Sequence, residues 1–372
     1  MNDEKLKNEE KQKNSEPVAQ TAGASGAVPA GRQGSPVEKE KTEAEKAEGM
    51  WTDIMRSAIF SGPGQIAVRY VAKPDLASNE VLIRLSGCGL CSSNIPVYEG
   101  RTWFTYPFEP GAPGHEGWGI VEETGSDVKD FHPGDYVAAL SYHAYAEYDV
   151  APAENVVKLP EELKDKPFPG EPLGCAMNIF QRSDIKEGQT VAIIGIGFLG
   201  ALLSNLASLA GARVIAISRR PFTLEIARQY GASETILMDD HWRIIEEVKS
   251  LTRGQFCDRV IEAAGHQWPL DLAGELTKVR GKLIIAGYHQ DAPRQVNMQL
   301  WNWRGLDVIN AHERDEKIYI DGIRSAVDAV VKGKMDPFPL ITHTFGLDQI
   351  ADAFDMAGKR PDGFLKAVIK YT

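Results

Sequence analysis

The chain has 372 residues, 43% of them hydrophobic, which is enough to bury two sizeable cores. A formal net charge of -11 argues against a nucleic-acid partner, because phosphate binding relies on clustered Lys and Arg. Four cysteines dispersed between positions 88 and 257 make no disulfide framework, so a reducing, cytoplasmic setting is expected, and no apolar run reaches the roughly 18 residues that span a bilayer.

Residues 1–49 are rich in Glu, Lys, Ala, Gly, Ser and Pro and contain no aromatic side chain, so a disordered tail is expected. From residue 55 the text changes. Short aliphatic segments at 66–71 and 80–86, separated by turn residues such as Gly62-Pro63-Gly64, predict a β-rich opening domain. Cys91 follows in Gly-Cys-Gly-Leu-Cys-Ser-Ser-Asn, then His115-Glu116 in Pro-Gly-His-Glu-Gly, then Glu171 in Glu-Pro-Leu-Gly. A thiolate, an imidazole and carboxylates form a zinc shell with room for a water or substrate oxygen. The C-x-x-C spacing of Cys88 and Cys91 also fits half a structural zinc site or a redox pair, yet no second C-x-x-C follows. Between the Cys91 and His115 motifs lie Trp103, Phe104 and Tyr106, which either line a pocket or fill a core.

Between residue 189 and about 311, apolar strands at 191–194, 214–217, 259–262 and 283–286 alternate with helices at 201–210, 221–230 and 270–278. That alternation predicts a doubly wound parallel sheet. Gly195-Ile196-Gly197-Phe198-Leu199-Gly200 follows the first strand and opens a helix, the context a dinucleotide loop requires. Gly195 permits the tight turn, Gly197 lets backbone approach the pyrophosphate, and Gly200 allows close helix–strand packing. The second strand ends in Ser218-Arg219-Arg220, where an NAD site usually places an acidic residue. A hydroxyl and two guanidinium groups suit a 2′-phosphate instead, so NADP is favoured, with NAD possible. A nucleotide loop beside a metal site suggests hydride transfer. A helix at 318–332 and a strand at 364–371 complete the chain.

This order of motifs resembles the zinc-dependent medium-chain alcohol dehydrogenases from about residue 56 onward. Within them it is most similar to the polyol, sorbitol-type branch, where a Glu-Pro-Leu stretch such as Glu171-Pro172-Leu173 replaces a second cysteine ligand. The resemblance implies an α/β fold: a Rossmann doubly wound parallel sheet at 176–312 and a β-rich, GroES-like catalytic domain at 50–175 and 313–372. It also implies one catalytic zinc held by Cys91 and His115, with Glu116 binding or bracing the metal and Glu171 reaching it directly or through water. Ser93 would pass the alcohol proton outward. The family's structural zinc lobe follows the segment matching Gly134-Asp135-Tyr136-Val137, and this chain carries no cysteine there. Asn94 stands where the family has an aspartate that orients the histidine ligand, and Pro96 where a relay histidine sits. The implied substrate is a small secondary alcohol, polyol or sugar alcohol, with no nucleic-acid or membrane partner and a homodimer or homotetramer as the assembly. Two other readings stay open: a zinc-independent quinone or enoyl reductase, and a noncatalytic NADPH-binding sensor or scaffold.

Overall fold

Strand Glu80–Gly89 is the backbone of the amino-terminal half, because Val81, Leu82, Ile83, Leu85 and Cys88 bury side chains along almost its whole length. It pairs antiparallel with Gly117–Thr124 and Tyr148–Pro152, and its far end pairs with the last strand, Lys366–Lys370. These belong to a seven-stranded sheet, beside which Ile54–Gly62 and Gln65–Ala72 form a separate hairpin. The chain therefore returns its C-terminus to the strand that precedes Cys91. A computed structural model describes residues 53–290 and 292–371, all within the compact unit Glu40–Thr372. The tail expected at residues 1–49 lies outside the described residues.

The second sheet has six parallel strands in the order Glu234–Leu237, Arg213–Ser218, Thr190–Ile194, Cys257–Glu262, Thr277–Ile285 and Asp307–Asn310. Relative to chain order this is the 3-2-1-4-5-6 arrangement of a doubly wound sheet. Its central strands are buried on both faces, as a parallel sheet covered by helices requires. Two details differ from the sequence reading. The helix expected at 270–278 ends at Leu276, and Thr277 and Lys278 already belong to a strand; Thr277 is β-branched, wholly buried and paired with Cys257. The helix expected from 201 starts at Phe198, inside the glycine loop itself. Among the described residues no helix is long and apolar enough to cross a membrane.

Helix Gly170–Ser183 carries Glu171 in its first turn and packs on helix Glu316–Val331 through two glycines. A Cβ on Gly174 would lie 2.8 Å from Ile323 Cγ1 and 2.9 Å from Ile323 N, and one on Gly322 would lie 2.8 Å from the Gly174 carbonyl. Backbone contact at this crossing fixes how far Glu171 stands from the first sheet. Gly174→Val is expected to cost about 1–3 kcal/mol by overpacking. The check is the urea midpoint at constant m value; an unshifted midpoint would show that the helices part freely.

Candidate active site

The metal-type residues come together because two paired strands end side by side. Cys88 faces Gly117 in the ladder, and Gly89 N–H donates to the Glu116 carbonyl at 3.1 Å, so Cys91 and His115-Glu116 leave the sheet at the same place. Cys91 then caps the short turn Ser92–Asn94, its Sγ accepting from Ser93 N and, at 3.1 Å, from Ser93 Oγ. Ligand atoms of Cys91, His115 and Glu116 lie within 4.8 Å of one another. Glu171 is not within that distance of all three; its Oε1 accepts a 3.1 Å hydrogen bond from Cys175, one helical turn on.

His115 Nδ1 meets the Pro113 carbonyl at 2.9 Å, which leaves Nε2 for the site. Burial alone would lower the His115 pKa, but Cys91 outweighs it, with further help from Glu171 and Glu116, and raises it to about 10. The negative charge that holds a proton on His115 would equally hold a cation. Burial, with the Glu116 charge adding to it, pushes the Glu171 carboxyl up. Glu116 is fully buried and faces Lys366, whose Nζ lies 2.7 Å from Oε1 and 2.6 Å from Oε2 and also donates to the Leu90 carbonyl at 3.1 Å. Lys366 is the partner recorded for both oxygens, and since each carboxylate oxygen has two lone pairs, acceptor capacity remains for a metal. Sulfur, imidazole nitrogen and a carboxylate oxygen with unspent acceptor capacity fit zinc.

Asn94 does not orient His115. Its Oδ1 accepts from the Tyr145 hydroxyl at 2.9 Å, and its buried Nδ2 has no partner, so the expected second-shell loss is made good by a backbone carbonyl. Pro96 opens the helix Ile95–Glu99, where a missing N–H costs nothing. Phe104 and Tyr106 pack against the first core, whereas Trp103 is 39% exposed.

At the nucleotide loop, Gly195 adopts φ +99 and a Cβ there would meet Ala264 N at 2.9 Å, while a Cβ on Gly200 would sit 2.1 Å from the Gly195 carbonyl. Open space surrounds the Cβ position of Gly197, and the helix Phe198–Leu209 begins immediately after it. Phe198 and Leu199 turn their side chains to the core, so backbone N–H groups are what they can offer an anion. Ser218 is buried and its Oγ shares a 2.7 Å hydrogen bond with Thr223. Arg219 is exposed, and Arg220 Nη1 donates to the Phe364 carbonyl at 2.7 Å.

Sequence reasoning missed two partners. Lys366, on the last strand, carries no local motif. His289 donates through Nε2 to the buried Glu262 at 2.9 Å while Nδ1 accepts from Arg294. Glu262 also accepts from Ala264 and Gly265 N–H and so fixes the turn beside Gly195. In zinc-free protein, Lys366→Met is expected to destabilise by about 3–5 kcal/mol, because a buried carboxylate loses its counter-charge. The double variant Lys366→Met/Glu116→Gln should recover most of that in a chemical-denaturation cycle; strict additivity would show that the pair is uncoupled.

Two family profiles match the chain: "Alcohol dehydrogenase GroES-like domain" over residues 77–161 and "Zinc-binding dehydrogenase" over residues 199–321. An alcohol dehydrogenase of Cupriavidus necator is 27% identical over 86% of this chain and 99% of its own length. A sorbitol dehydrogenase of Bacillus subtilis is 25% identical over 85% of this chain and 97% of its own. Among solved structures, a zinc-binding dehydrogenase of Sinorhizobium meliloti bound to NADP superposes with a TM-score of 0.75, at 26% identity, over 85% of this chain and 99% of that one. Both halves of the molecule, the sheet that carries Cys91 and His115 and the sheet that carries the glycine loop, thus match the same group of enzymes, and the chain belongs to the zinc-dependent medium-chain alcohol dehydrogenase family, whose members use zinc and NAD(P).

Proposed function

We propose that this enzyme interconverts a secondary alcohol, polyol or sugar alcohol with its ketone and prefers NADP. The observation that carries the reading is the largely buried cluster of Cys91, His115 and Glu116, whose ligand atoms lie within 4.8 Å of one another. Zinc bound there supplies a Lewis acid for the substrate oxygen, and the dinucleotide accepts or delivers the hydride. Cys91 Sγ, His115 Nε2 and Glu116 would hold the metal, and Glu171 stands by to join them once it leaves Cys175. Ser93 Oγ, next to Cys91 Sγ, would turn about its Cα–Cβ bond and act as a relay, accepting the substrate hydroxyl proton as it passes its own proton outward. Pro96 offers no relay beyond it, so the proton leaves through water or a ribose hydroxyl.

The helix start at Gly197, Phe198 and Leu199 receives the pyrophosphate, and Ser218, Arg219 and Arg220 receive the 2′-phosphate. Support for NADP is the absence of a carboxylate at the end of strand Arg213–Ser218. We assign the catalytic domain to 50–175 and 313–372 and the nucleotide domain to 176–312, in keeping with the two sheets. Four free cysteines support a cytoplasmic location. Among the described residues strand Asp307–Asn310 is an edge of the six-stranded sheet, and Met298 and Trp303 in the preceding helix are exposed, which supports pairing of two copies on this side.

Assaying sugar alcohols, inositols and aliphatic secondary alcohols with both cofactors tests the activity; no turnover with any would overturn it. Arg219→Ala/Arg220→Ala is expected to raise the NADP Michaelis constant at least about tenfold with little change for NAD, since charge-assisted hydrogen bonds contribute roughly 1.5–3 kcal/mol each. Equal weakening of both cofactors would mean that these arginines do not read the 2′-phosphate. Ser93→Ala should lower kcat by about 10²-fold or more at unchanged zinc content. Undiminished kcat would remove Ser93 from the proton path.

A further inference from the structure

Arg220 reaches the Phe364 carbonyl, four residues beyond Arg360, and the charges of Arg219, Arg220 and Arg360 act on one another, yet only two of the three belong to the strand end that the cofactor fingerprint singles out. The third is Arg360. It ends the helix Ile350–Lys359 in the left-handed conformation, φ +46, with its N–H donating to the Met356 carbonyl. A residue without a side chain would be the relaxed choice at that backbone angle, so an arginine there needs another reason. Its Nη2 donates to Ser92 Oγ at 3.2 Å, one residue from Cys91. Although Arg360 is exposed as a residue, partial burial of its guanidinium and then the charge of Arg219 push its pKa down. Arg220, pinned by the Phe364 carbonyl, is depressed in the same way by burial and then by Arg360.

The acidic groups that act on this cluster are Asp362 on Arg220, and Cys91 and then Glu99 on Arg360. Glu99 is already committed to Arg101 at 3.0 Å. Three cations held against one another are relieved most effectively by an anion between them. Arg360 also lies on the route a dinucleotide must follow, since it touches Ser92 at the metal side and acts on Arg219 at the ribose side. Along that route the ligand's only anionic groups are its phosphates.

We infer that Arg360 is a phosphate-binding residue for the dinucleotide, supplied by the catalytic half of the chain, which completes a cradle with Arg219 and Arg220. The inference rests on the cofactor reading above. Arg360 follows the helix Ile350–Lys359 and lies outside the nucleotide sheet. Its partner is either the 2′-phosphate or the pyrophosphate, and the two are separable.

The test is equilibrium fluorescence titration of the full-length protein with NADPH and NADH, with adenosine 2′,5′-bisphosphate and ADP as competing probes. Arg360→Gly removes the guanidinium and relaxes the backbone, so the fold and thermal midpoint should be kept; Arg360→Lys retains the charge. Arg360→Gly is expected to weaken NADPH binding by about tenfold, as loss of a charge-assisted contact implies, with partial recovery in Arg360→Lys. Loss confined to NADPH and adenosine 2′,5′-bisphosphate places Arg360 on the 2′-phosphate, and equal loss for NADH and ADP places it on the pyrophosphate. Unchanged affinity for all four ligands in Arg360→Gly overturns the inference. A wild-type preference for NADH would instead sink the NADP reading, and Arg360 would then stand or fall on NADH and ADP alone.

Discussion

Glu116 has no exposed surface, and a carboxylate in that position is stable only beside a matching charge. Lys366 supplies it, with Nζ within 2.7 Å of both oxygens. This contact ties three parts of the sequence together: the strand end at Gly89, the His115-Glu116 segment and the last strand, which begins at Lys366. Gly89 is part of the same constraint, since a Cβ there would sit 1.8 Å from Glu116 Oε2. Replacing either charge by itself leaves its partner buried and unpaired, which is why such pairs are costly to break. Lys366 answers one carboxylate, while Cys91 and Glu171 face the same space with His115 as their main counter-charge. A divalent cation resolves that imbalance, so the site's electrostatics and its donor set point to the same chemistry.

Residues 364–366 also reach side chains at the nucleotide sheet. Lys366 Nζ stands 5.3 Å over the Phe198 ring at the start of the nucleotide helix, and the Phe364 carbonyl holds Arg220. Within three residues, this segment contacts Glu116, Phe198 and Arg220. Rigid placement of a reacting carbon between metal and nicotinamide is worth several orders of magnitude in rate. Lys366 itself is held in place by the pairing of Lys366–Lys370 with Glu80–Gly89.

Local chemistry could be read directly from the sequence. Gly195 and Gly200 were expected for turn and packing reasons, and their missing Cβ atoms would indeed strike Ala264 and the Gly195 carbonyl. The short edge strands Glu234–Leu237 and Asp307–Asn310 escaped notice because edge positions need not alternate cleanly. Lys366, Arg360 and the Glu262–His289 pair escaped for another reason: each acts on a residue brought near only by folding, with no spacing rule to betray it. Asn94, which replaces the family's orienting aspartate, bonds Tyr145, and the acceptor that His115 Nδ1 meets is a backbone carbonyl, which carries no signal in the sequence.

The central claim is a single mixed-donor zinc centre in which Cys91 is the sole sulfur ligand. Zinc K-edge X-ray absorption on the purified, metal-quantified protein tests it most directly. About one zinc per chain is expected, with one sulfur scatterer at about 2.3 Å and nitrogen or oxygen scatterers at about 2.0–2.2 Å. A shell with two or more sulfurs would mean that Cys175 displaces Glu171, and protein that retains no zinc while turning over an alcohol would contradict the account altogether.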